Sequence, residues 1–314
     1  MRHTTLLIPT PGYRKVWMLL GGLSALWITG CVSQSQTPGT KTDPAHPFSL
    51  TDAGNQNPED LPLLLSRGET DLRLGKEDEA LYHFIKVLDI QPDHPQALLR
   101  IGRIHQKKGN DDLAELAYGW ILKGDPRHVD ALEGLGLIQL RRDLDTDARK
   151  QLTAVIGLDR NRWRAQNGLG LLDDEMGDHR SAQTHFRAAL QVQPENPQLL
   201  VNLGYSLYLS GDWNAAMLQF DAALARDPGL ESAWLNKGLL LTRQGQEKAA
   251  LTAFGKVLNE ADTWNNLGYI YMTQGESDRA RHCFEKTIAL SPTYHAQANE
   301  NLTRLNAVHD PGQP

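Results

Sequence analysis

The chain has 314 residues, 40% of them hydrophobic and 22% charged, with 32 Lys and Arg against 38 Asp and Glu for a net charge of −6. Those proportions lie near the globular average and exclude both a wholly disordered polypeptide and a multi-span membrane protein. An acidic chain repels phosphate backbones instead of releasing their counterions, which argues against nucleic acid as a partner.

Arg2, Arg14 and Lys15 stand at the start, with no acid before residue 31, and an apolar run follows from Val16 to Thr29. About 14 residues is short of the roughly 20 that cross a bilayer as a helix, so residues 1–30 read as a secretory signal peptide. Ile28-Thr29-Gly30-Cys31 comes directly after the run and resembles the lipobox of bacterial lipoproteins. The resemblance implies that Cys31 becomes the acylated first residue of the mature chain. Each buried methylene contributes about 0.8 kcal/mol, so several acyl chains make a firm anchor. Val32 stands where an Asp would imply retention at the inner membrane, and the expected address is therefore the outer membrane, at its periplasmic face. Residues 31–60 place Pro38, Pro44, Pro47 and Pro58 among polar side chains. They carry too little apolar surface to offset the entropy of ordering and read as a disordered tether, which as a flexible coil would span about 30 Å.

Glycine then recurs at 34-residue steps at Gly68, Gly102, Gly136, Gly170, Gly204 and Gly238, and again at Gly268 after a step of 30. Ala80, Ala114, Ala148, Ala182, Ala216, Ala250 and Ala280 keep the same register, as do Phe84, Tyr118, Leu152, Phe186, Phe220, Phe254 and Phe284. Each unit holds two apolar runs at helical spacing, such as Leu200, Leu203 and Leu207 followed by Ala216, Phe220 and Ala223. Gly211 ends the first run and Asp212 caps the second, while Asn196 and Pro197 open the unit. The columns resemble the tetratricopeptide repeat. The fold expected is all-α, an α-solenoid of about seven helix pairs at 61–94, 95–128, 129–162, 163–196, 197–230, 231–260 and 261–294. A capping helix over 295–309 and a frayed tail over 310–314 complete it.

The recurring glycine is expected to face the alanine column, allowing two helices to approach closely. Two irregularities stand out. Most units close with proline, at Pro92, Pro126, Pro194, Pro228 and Pro292, but in the third Arg160 stands there and Asp143 replaces the hinge glycine, which leaves its turns less well specified. The sixth unit is four residues short, with the deletion expected at the end of its second helix, near Asn259 to Asp262, and a tighter turn there.

No residue pattern calls for catalysis. The histidines lack metal-ligand spacing, and His179 and His185, six apart, read as surface residues. Asp173, Asp174 and Glu175 read as the solvated end of a helix. Cys283 reads as a partly buried thiol. No enzyme activity, cofactor, metal or small-molecule substrate is expected.

The repeat resemblance implies a protein-binding groove lined by the first helix of each unit. Its positions map onto a late zone of Asn202, Tyr205, Tyr208, Asn236, Asn265, Asn266, Tyr269 and Met272, and onto an early basic strip of Arg73, Arg100, Arg103, Lys107 and Arg141. Asparagine can satisfy a peptide backbone without reading its side chains, and tyrosine adds contact area at low entropy cost. The Lys and Asn clamp of co-chaperone repeats is absent, since Leu65, Glu69, Leu99 and Arg103 occupy its slots. Asn202-Leu203-Gly204-Tyr205 and Trp264-Asn265-Asn266-Leu267-Gly268-Tyr269 resemble the TadD family of tight-adherence (Flp) pilus assembly lipoproteins. That resemblance implies protein partners such as a secretin or other pilus components. A type IV pilus pilotin, or an adaptor for a periplasmic protease or cell-wall hydrolase, stands beside it as an alternative.

Overall fold

The computed structural model describes Phe48, residues 60–291 and residues 295–309, with side chains as far as residue 306. The signal peptide, Cys31, most of the 31–60 stretch and the 310–314 tail lie outside the described residues. Phe48, inside the stretch expected to be disordered, is buried.

Fifteen α-helices and no strand occur among the described residues, in two compact bodies divided between Arg160 and Asn161. The first body holds three antiparallel pairs, α1 (Leu61–Arg73) with α2 (Glu77–Ile90), α3 (Pro95–Lys107) with α4 (Asp111–Gly124), and α5 (Val129–Arg141) with α6 (Asp145–Leu158). The second holds α7 (Trp163–Glu175) with α8 (His179–Val192), α9 (Pro197–Leu209) with α10 (Trp213–Arg226), α11 (Glu231–Arg243) with α12 (Glu247–Phe254), and α13 (Glu260–Thr273) with α14 (Ser277–Leu290). A single helix, α15 (Ala296–His309), packs on α14 and closes the second body, as the sequence leads one to expect of a cap.

Helix ends follow local chemistry. Asn196 Oδ1 accepts from the Gln198 and Leu199 amides ahead of Pro197, and Asp212 Oδ1 accepts from the Ala215 amide. His94, His128 and His295 do the same work through Nδ1, on the amides of Ala97, Ala131 and Ala298. A cap that accepts through Nδ1 needs that nitrogen unprotonated, and burial holds the His94 imidazole below its ordinary value, which keeps the acceptor available. Between the helices of a pair, Gly211 turns the chain at φ +86°. Asp143 adopts the same left-handed conformation at φ 56° without being glycine, so the third pair keeps its turn. Aspartate is among the few side chains that tolerate this region.

The recurring glycine faces the ring column, not the alanine column. A Cβ placed on Gly68, Gly102, Gly136, Gly170, Gly204, Gly238 or Gly268 would meet, in that order, the side chain of Phe84, Tyr118, Leu152, Phe186, Phe220, Phe254 or Phe284 at 2.8 Å or less. The alanines are fully buried and permit the close approach, but the glycine is a socket for the ring edge. In the sixth unit the missing residues shorten the helix itself. α12 has 8 residues where other second helices have 14, and Asn259 begins the next helix by capping the Asp262 amide at 2.8 Å. A polar clasp ties α12 to its neighbours, with Tyr271 Oη donating to Glu247 at 2.8 Å and the Arg279 guanidinium bonding Glu247 at 2.9 Å while lying 3.9 Å over the Tyr271 ring.

Gly204→Ala separates packing from propensity. Alanine favours a helix interior by about 1 kcal/mol, whereas its Cβ would stand 2.7 Å from the Phe220 ring. Overpacking a filled core costs about 1–3 kcal/mol, so the variant is expected to lose stability in urea melts. A gain equal to the propensity difference would show that the socket is not filled.

Candidate functional site

Within each body the first helices of successive pairs form the tighter layer. α3 touches α5 in the first body; in the second, α7, α9, α11, α13 and α15 each touch the next, while successive second helices stay farther apart. The late zone lies wholly on α9, α11 and α13. Asn202, Tyr208 and Met272 are partly exposed on this layer, whereas Tyr205, Asn236, Asn265, Asn266 and Tyr269 are buried.

The asparagines are engaged within the layer. Asn202 Nδ2 donates to Asn167 Oδ1 at 2.8 Å, Gln198 Nε2 donates to Asn202 Oδ1 at 3.0 Å, and Ser232 Oγ donates to Gln198 Oε1 at 3.3 Å. This amide run crosses α7, α9 and α11. Asn236 and Asn266 bond the carbonyls of Ser232 and Asp262 on their own helices, and Asn265 accepts from Asn301 on α15. Tyr208 accepts from Arg243 Nε at 2.9 Å, and its ring lies 5.8 Å from that of Tyr205. The result is a prearranged polar strip in which Asn167, Gln198, Asn202 and Tyr208 are partly exposed. Side chains held this way lose little further freedom when they meet a ligand.

The early basic residues are paired across the first body. Arg100 Nε lies 2.6 Å from Glu69 and Arg103 lies 2.9 Å from Asp130, while Lys107 pairs with Glu77 and Arg141 with Asp111. Arg73 bonds Thr70 on its own helix. Lys108 with Asp78 and Arg142 with Asp112 repeat the arrangement, so the cationic end of each later first helix meets the acidic start of the preceding second helix. Opposite helix dipole ends add to the attraction. Exposed pairs of this kind are worth about 0.2–1 kcal/mol each. Their carboxylates offset the charge that the basic strip, taken alone, suggests. The signal in the sequence is the run of acids that opens the preceding second helix, Glu77 and Asp78 in one unit and Asp111 and Asp112 in the next.

Of the three acids at the end of α7, Glu175 is exposed as expected, and the other two depart from that reading. Asp173 is buried and Asp174 nearly so, instead of solvated. His179 Nδ1 lies 2.9 Å from Asp174 Oδ1, and Ser206 Oγ donates to the same oxygen at 2.7 Å. His185 Nε2 lies 3.5 Å from Asp173, and its Nδ1 lies 2.7 Å from Gln166 Oε1. The spacing of the two histidines thus serves two adjacent carboxylates, a pairing that only the antiparallel return of α8 creates. No group of three or more metal-ligating side chains occurs among the described residues. Cys283 is buried, and burial pushes its thiol up to about 12, which leaves it unreactive at neutral pH.

Burial raises the Asp174 carboxyl from 3.8 to about 6, against the opposing pull of its bonds to His179 and Ser206. A folded-state value above the unfolded one means that the native state holds an extra proton between about pH 4 and pH 6. This group's contribution is full below that window and lost as pH rises through it. The stability of the wild type relative to Asp174→Asn is therefore expected to fall by on the order of 3 kcal/mol from pH 4 to pH 7, read from urea melts across that range. A difference that stays constant with pH would remove Asp174 as the titrating group.

Models of the tetratricopeptide repeat match residues 99–162, 167–231 and 261–294. No curated protein matches the chain. Among solved structures, a tetratricopeptide repeat protein from Parabacteroides merdae aligns with a TM-score of 0.56 at 16% identity, over 79% of this chain and 99% of its own. Cut9-Hcn1, an APC/C hetero-tetramer, aligns with a TM-score of 0.52 at 18% identity, over 79% of this chain and 49% of the other. Pseudomonas aeruginosa pilF gives 0.48 at 17% identity, over 78% and 98%. At these identities the likeness is one of fold alone.

Proposed function

The chain belongs to the tetratricopeptide repeat family, and from that premise we propose that it is a lipid-anchored scaffold at the periplasmic face of the outer membrane. It grips extended segments of partner proteins on the first-helix layer of its second body, in the assembly or placement of a pilus or secretion secretin of the tight-adherence kind. The observation that carries the binding part is the amide run across α7, α9 and α11, with Asn202 and Tyr208 partly exposed beside it. Such a strip offers both donors and acceptors to a peptide backbone, and the aromatic ring adds apolar area. The membrane part rests on the lipobox-like Ile28-Thr29-Gly30-Cys31 and on Val32. The pilus part rests on the Asn202-to-Tyr205 and Trp264-to-Tyr269 motifs.

Joint Asn202→Ala and Tyr208→Ala is expected to lower recovery of crosslinked partner from membranes about tenfold, an effect of ordinary size for interface residues, with helicity unchanged. Recovery of a secretin supports the assembly role, and recovery of a protease or cell-wall hydrolase overturns it. Asn265 and Tyr269 are too buried for this purpose, and substituting them reads out stability. Separately, Cys31→Ser is expected to leave the helices folded and release the protein from membranes. A variant that still sediments with outer membrane would overturn the anchor.

A further inference from the structure

We infer that Arg243, at the end of α11, is a recognition point for a carboxylate side chain of the partner, an acidic residue within the extended segment that the second-body strip holds. The inference rests on the strip reading and names one chemical feature of what the strip takes.

The two bodies use one register differently. In the first, the cation that ends a first helix pairs with the acid that opens the preceding second helix, Lys107 with Glu77 and Arg141 with Asp111, each 30 residues upstream. The next position repeats the pairing, Lys108 with Asp78 and Arg142 with Asp112. Arg243 ends α11 at the same place, but α10 opens with Trp213 and Asn214. Both are neutral, and Trp213 is exposed. The cation of the pattern is kept and its carboxylate is missing.

No carboxylate among the described residues pairs with Arg243. Its Nε donates instead to Tyr208 Oη on α9 at 2.9 Å. Burial holds the Tyr208 phenol above its ordinary value, against the pull of Arg243, so the acceptor is a neutral hydroxyl. The guanidinium therefore keeps its whole charge, and the Nε bond leaves both Nη groups uncommitted. Lys237, the other cation of α11, is already paired with Asp221.

Arg243 is exposed at the edge of the layer, and Tyr208 holds it to the strip. A guanidinium ordered in advance loses little further freedom on meeting its ligand, and its fork matches a carboxylate in two charge-assisted bonds. The amide run can bond any peptide backbone, whereas Arg243 adds a preference among sequences.

A library of short random peptides, acetylated and amidated so that neither chain end is charged, tests this on the full chain. Peptides retained by the wild type are expected to carry Asp or Glu at one position about three- to fivefold more often than those retained by Arg243→Gln, the range of one exposed charge pair. Trp213→Glu restores the acid that Glu77 and Asp111 supply in the first body, and with Arg243 untouched the preference is expected to vanish. Equal acid content on the wild type and Arg243→Gln, or an undiminished preference in Trp213→Glu, overturns the inference and leaves the strip in place. Failure of the wild type to retain any peptide removes the strip reading and the inference together. A preference that appears only in a second library with free C-termini assigns Arg243 to a chain end and overturns the side-chain assignment.

Discussion

Everything in both bodies depends on one contact, the ring edge or leucine branch that enters a glycine socket between the helices of a pair. It occurs in all seven pairs, in the same register each time. A glycine inside a helix costs about 1 kcal/mol. Full burial of a large apolar side chain contributes about 1.5–3 kcal/mol, and the filling residues Phe84, Tyr118, Leu152, Phe186, Phe220, Phe254 and Phe284 are all buried. Packing therefore wins in each pair, and the glycine persists because any Cβ would evict the ring. The socket also fixes the helix separation, and with it which residues reach the neighbouring first helix.

Once the helices are fixed at that distance, the first-helix layer has little room, and many of its polar side chains bond neighbours on the same or adjoining helices. The amide run from Asn167 to Ser232, the Asp174–His179–Ser206 contact and the Glu247–Tyr271–Arg279 clasp are three solutions to the same requirement. Each closes a hydrogen-bonding need that burial would otherwise leave costly. The clasp also ties the start of α12, at Glu247, to α13 and α14, at the end opposite the one the missing residues shorten. The same tight layer makes a ready surface for another chain, because its exposed polar atoms are already held in place.

Much of this is legible in the residues. The recurring glycine step, the Asn196 and Asp212 caps and the terminal helix can be read directly because each rests on neighbours close in sequence. Sequence reading assigns the recurring glycine to alanine and not to the ring, since the alanine and the ring of each unit return to the same helix face and only packing distinguishes them. The basic strip read along its own helices lacks its acids, which belong to neighbouring units. Asp173 and Asp174 read as solvated because adjacent residues on one helix diverge, and nothing local announces that α8 and α9 cover them. His94, His128 and His295 carry no cap signal because histidine is an uncommon cap.

By itself, the sequence determined the all-helical class, the repeat length and the repeat family. These depend on periodicity and on capping chemistry, both of which act over a few residues. Tertiary structure alone decided which side of each first helix is buried, which charges are cancelled and where Phe48 comes to rest. Those outcomes turn on distances between residues on different helices, and such distances exist only once the ring has closed its glycine socket and set the helix spacing.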